Sequence, residues 1–137
     1  MPTPDELRAP IAAGRVKLEA AIRAAAPNWE SQSPGDDWSP RTAAEHVIPA
    51  EAFFATAICK ACGYPGVEME RGSYDSAEDA LTALVAVSEL SDGRLKYITQ
   101  EDLENKDERM GSVADMLTMA AAHLEEHASQ IESAAGA

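Results

Sequence analysis

An all-α four-helix bundle is the fold this sequence predicts, and three observations lead to it. Alanine is abundant while aromatic residues make up only 5% of the chain, a composition weighted toward helix formers. Val, Ile, Tyr, Phe and Trp never gather into the alternating runs of half-buried strands. Apolar residues recur instead at helical spacing in four segments of similar length. At 137 residues the chain suits one domain, 1–137, with a single core.

The first helix is predicted from Pro4 to about Ala26, with Leu7, Ile11, Leu18 and Ile22 on one stripe and Pro27 stopping it. A polar loop, NWESQSPGDD, leads into Trp38-Ser39-Pro40. Ser39 is a natural N-cap there, and Pro40 suits the first helical position. Helix two runs to about Ala61, before Gly63, Pro65 and Gly66, with an apolar face centred on Ala43, Val47, Ala50, Phe54 and Ala57. Pro49 inside it removes one hydrogen bond and is expected to bend the helix just after the turn that carries His46. Helix three spans roughly Ser76 to Thr99, its apolar positions being Leu81, Leu84, Val85, Leu90, Leu95 and Ile98, with Gly93 a weak point. The acidic linker QEDLENKDERMG precedes helix four, from about Ser112 to Ala134. Ser112 and Asp115 make a capping-box pair with Asp in place of Glu or Gln, and Val113, Leu117, Ala120, Leu124 and Ile131 centre the apolar face.

The formal net charge of −13 argues against nucleic acid and anionic membranes as partners, because both recruit clustered Lys and Arg. The leading segment MPTPDELRAP has no apolar signal core, and no apolar run approaches membrane-spanning length. The expectation is a soluble cytoplasmic protein. In that compartment Cys59 and Cys62 read as two reduced helix-end thiols. A redox C-x-x-C would ordinarily sit in a thioredoxin-like sheet, for which there are no strands. A disulfide between subunits is the other reading.

The chain has three histidines, His46, His123 and His127. His123 and His127, four apart in MLTMAAAHLEEHASQI, stack on one helix face. On the helical wheel they flank the core face of helix four, as His46 flanks that of helix two. His46 lies roughly 10 Å into its helix and His127 roughly 22 Å into one about 33 Å long, so antiparallel helices bring them level. A parallel arrangement favours His123 instead. Three neutral imidazoles from two helices suit zinc, nickel or iron(II) and leave room for a further ligand. The plainer reading is histidines that are hydrogen-bonded or facing solvent. Cys59 lies about 13 residues, nearly 20 Å, beyond His46, too far to share its metal.

The segments DDWSPRTAAEHVIPAEAFF and SVADMLTMAAAHLEEHASQI resemble the DinB-like superfamily of helical metalloproteins, and the order of segments and the length extend the likeness over nearly the whole chain. The resemblance implies an up-down-down-up bundle whose long crossover between helices two and three would be CGYPGVEMERGSYD. It also implies a homodimer, and a divalent metal, zinc before nickel or iron, held by His46, His123 and His127. Relatives of this kind include metal-dependent S-transferases and isomerases that use low-molecular-weight thiols such as mycothiol or bacillithiol. The corresponding expectation is thiol transfer to a small electrophilic substrate. The alternatives are a metal-dependent hydrolase and a non-enzymatic metal- or ligand-binding stress protein. Gln130 is placed to hydrogen-bond a ligand on the metal, and Glu45, Glu51, Asp115 and Glu126 are candidate supporting or proton-handling carboxylates. Each of the four reads first as an ordinary surface charge on an acidic chain.

Overall fold

The computed structural model describes residues 2–32 and 38–136. Residues 33–37, which end the expected polar loop and include the first two residues of the DDWSP segment, lie outside the described residues. The chain forms four long helices: α1 (Pro4–Ala25), α2 (Pro40–Ala61), α3 (Ala77–Leu95) and α4 (Val113–Ala135). Each starts on a side chain that satisfies an otherwise orphaned backbone N–H. Thr3 accepts from Glu6, Ser39 from Thr42, Ser76 from Asp79 and Ser112 from Asp115. The Ser112–Asp115 pair is a reciprocal capping box, as its spacing predicts. No helix among the described residues is long and apolar enough to cross a membrane.

The bundle is built around α4, which packs against α1 and α2, while α3 closes the other side against α2 and α1. Asn28 Nδ2, just beyond α1, donates to the Ala135 carbonyl at the end of α4. The Arg41 N–H, at the start of α2, reaches the Trp29 carbonyl. Core positions on α1 and α4 follow their predicted stripes: Ile11, Leu18, Ile22, Val113, Leu117, Leu124 and Ile131 are all buried. α1 and α4 approach closely at Gly14, where an added Cβ would stand 3.0 Å from Leu124 Cβ. That contact seats α4 at the turn that carries His123.

Two helices differ from the expected pattern. In α2, Ala43 and Val47 are buried, but Ala50, Phe54 and Ala57 are only half-buried. The buried face also takes in Ala44, Ile48, Ala52, Ala55, Ile58 and Cys59. Packing on both α3 and α4 turns more of this helix inward than one stripe would. In α3, Val85 and Leu90 are 58% and 41% exposed, and Ala77, Ala80, Val87 and Ser91 form the inner face with Leu84 and Leu95. The helix stops at Leu95, so Ile98 is buried from the following turn. The acidic linker is also more structured than its composition suggests. Glu101–Glu104 form a 3-10 turn, and β1 (Lys106–Asp107) pairs antiparallel with β2 (Gly111–Ser112).

One polar cluster ties three helices together. Arg15 of α1 grips Glu51 of α2 through Nε (3.1 Å to each oxygen) and Nη2 (2.5 Å), and Asp92 of α3 through Nη1 at 2.9 and 3.0 Å. Glu51 is buried, not the surface charge that an acidic chain suggests. Burial alone would weaken the Arg15 charge, but both carboxylates outweigh it and raise its pKa further.

Candidate metal centre

The three predicted histidines meet. His46 of α2 and His127 of α4 each bring Nε2 to the Nε2 of His123, at 3.3 and 3.1 Å. All three donor atoms lie within 4.8 Å of one another. Both helix-four histidines take part, with His123 in the middle, so the sequence-level choice between His123 and His127 does not arise. They span the border between core and solvent: His127 is buried, His123 half-buried and His46 exposed.

The supporting contacts suit these rings to holding a metal. His127 Nδ1 lies 2.7 Å from Gln130 Oε1. An amide oxygen only accepts, so Nδ1 carries the proton and Nε2 of the neutral ring presents its lone pair toward His123. Gln130 thus contacts a ligating ring from behind, the usual way an outer partner fixes the tautomer of a metal-bound histidine. Lone pairs of three imidazole nitrogens turned toward one point are satisfied by a cation standing between them or by a ring N–H given from one to another. Tetrahedral ligands ~2.0–2.1 Å from zinc are about 3.3 Å apart, which matches the separations of 3.1 and 3.3 Å. The donor set and its spacing therefore fit a divalent metal.

Aromatic rings hold the imidazoles on their other sides. Trp38 stacks on His127 with centroids 5.7 Å apart and meets His46 edge-on at 5.1 Å. Phe54 packs against His123 at 5.5 Å. All are ordinary aromatic contact distances. The sequence placed Trp38 only as a lead-in to the helix cap and Phe54 only in the core. No local signal marks their contacts, because these cross between elements.

Burial lowers the His123 pKa to about 4, with help from the facing His127 and His46 and against the opposing pull of Glu126. Burial also lowers His46, reinforced by His127 and by the Arg71 charge. Both rings are therefore neutral, and able to ligate, at neutral pH. Their depressed folded-state values mean that the unfolded chain takes up protons that the folded chain resists. In the metal-free protein their contribution to stability is fully present above pH 6.5, the ordinary histidine value, and declines as the pH falls toward about 4. Urea denaturation of chelator-treated protein at pH 7.5 and 5.0 should show this loss, and His123→Gln should shrink it. An identical loss in that variant would refute the assignment.

Three of the four candidate carboxylates have other roles. Glu45 accepts from Arg41 Nε and the Tyr74 N–H, Glu51 belongs to the Arg15 cluster, and Asp115 caps α4. Only Glu126 is felt at the centre, through its charge on His123. The thiols are separate too: among the described residues, the one metal-competent cluster of His, Cys, Asp or Glu is the histidine trio. Cys59 and Cys62 are unpaired. Burial raises both thiols, Cys62 to about 11 with Asp102 adding to the effect, so neither is a thiolate at neutral pH.

Beside His46 lies a cleft of about 580 Å³, walled by α2 residues Pro49, Phe53 and Thr56 and by the strap residues Val67, Met69 and Arg71. Nothing in the local sequence pattern of 67–71 announced it. Among known proteins, no family model, curated protein or solved structure matches the chain significantly.

Proposed function

We propose that the chain is a DinB-like metalloprotein that transfers a low-molecular-weight thiol to a small electrophile at the three-histidine centre. The observation that supports this most is the convergence of three Nε2 atoms at 3.1 and 3.3 Å beside a solvent-reaching cleft. The two sequence segments that resemble the superfamily support the choice of reaction. A divalent metal bound by three neutral imidazoles keeps its full charge and favours the thiolate form of a thiol brought to it. The protein's own part is positional. Gln130 sets the His127 tautomer, Trp38 and Phe54 hold the rings, and exposed His46 leaves the cleft side accessible. Glu45, Glu51 and Asp115 are engaged elsewhere, which suits a nucleophile activated by losing its proton to solvent. Under this reading the protein is a cytoplasmic homodimer.

The test is turnover by the purified chain loaded with zinc, nickel or iron(II), offered mycothiol or bacillithiol with a chlorinated aromatic or an epoxide. Product should form only when both metal and thiol are present. Hydrolysis without added thiol would make the protein a hydrolase instead. Stoichiometric metal binding with no turnover of any of these would make it a binding protein.

A further inference from the structure

We propose that the cleft beside His46 is the substrate site of this centre and that it selects a small amphipathic acid. The apolar body would lie along Pro49, Phe53 and Met69, with the carboxylate on Arg71. This rests on the metal reading above and adds the chemical class of the molecule that approaches.

The cleft reaches the centre because His46 lines it while its Nε2 faces His123. Its inner wall is apolar, and Phe53 on it is 62% exposed, an aromatic face open to a ligand. Its outer wall is fastened. Thr56 Oγ1 donates to the Val67 carbonyl at 2.8 Å and accepts from the Val67 N–H at 3.1 Å. Gly66 allows this approach, since a Cβ there would stand 2.7 Å from Thr56 Cγ2. Further along, the Tyr74 N–H is held by Glu45, while Arg41 binds Ser73 and Asp75.

Charge decides the polar end. Burial alternates along the strap, with Val67 and Met69 half-buried and Glu68 and Glu70 exposed. Arg71 is exposed, so its guanidinium is open to a ligand. Arg71 and Glu68 both line the cleft, and of the two only the guanidinium can pair with an anion. Among the described residues, Arg71 has no ion-pair partner. A guanidinium is suited to hold a carboxylate through two parallel hydrogen bonds. The chain's net charge of −13 does not override this local preference, because salt screens exposed charges beyond ~8 Å.

The test uses the full chain loaded with cobalt(II), with octanoate, octanol and octylamine as probes, followed by calorimetry and by the cobalt absorption spectrum. Octanoate should alter the spectrum and bind at least about tenfold more tightly than the other two, as one charge-assisted pair provides. Arg71→Gln should erase that preference, and Arg71→Lys should restore part of it. Equal or tighter binding of octylamine or octanol overturns the proposal, as does an Arg71→Gln variant that binds octanoate like wild type. Cobalt-loaded protein indifferent to octanoate overturns the cleft assignment alone. Failure to bind cobalt removes the metal reading and this inference with it.

Discussion

His123→Ala should weaken zinc binding by at least about a hundredfold, because even loss of an outer partner of a metal ligand costs about ten- to a hundredfold. His123 is the variant to make first, since its Nε2 is the one that faces both other rings. Its alanine variant leaves two imidazoles on different helices with nothing between them. Gln130→Ala should fall within the smaller range, because it removes only the partner that orients His127. Competition against a coloured chelator at pH 7.5 measures both. Wild-type affinity in His123→Ala would show that the rings converge without holding a metal.

The largest expected effect on stability comes from Arg15→Ala. Glu51 has a side chain only 3% exposed, and its hydrogen bonds are to Arg15. Truncating the arginine leaves a buried carboxylate without a counter-charge, a loss of about 3–5 kcal/mol. That is a large share of the roughly 5–15 kcal/mol that holds a domain of this kind folded. Replacing both residues with apolar side chains of similar length, as in Arg15→Met with Glu51→Leu, should recover most of the loss. Urea midpoints of the single and double variants measure this. If the double variant is no more stable than Arg15→Ala alone, burial of an unpaired charge is not the cause.

What the sequence makes legible is whatever a helix encodes locally. Cap residues such as Ser39 and Ser112, the stop at Pro27 and the i, i+4 pair His123–His127 need no knowledge of the partner helix. In helix four the expected positions Val113, Leu117, Ala120, Leu124 and Ile131 are all buried, and packing on α1 and α2 adds Met116, Ala121 and Ala128. The inner face of α3 was not legible in this way, because Ala80, Val87 and Ser91 are buried where Val85 and Leu90 are exposed. There the choice was made by the neighbours and not by side-chain apolarity. The same limit applies at the candidate centre: the three histidines stand out by residue type, whereas Trp38 and Phe54 meet them through tertiary contacts. Glu51 shows the converse, because its acidic type suggests the surface and only the Arg15 pairing explains its burial.

Alanine recurs among the buried residues of the two helices that carry the histidines: Ala43 and Ala44 on α2, and Ala120, Ala121 and Ala128 on α4. An alanine has no rotamer with which to absorb a change in spacing, so the distance between two such helices is set almost by backbone against backbone. With His46 on one helix and the other two histidines on its neighbour, the spacing of α2 and α4 sets how wide a cation the three rings could grip. Any metal preference at these rings would then depend partly on methyl groups that never touch the ion.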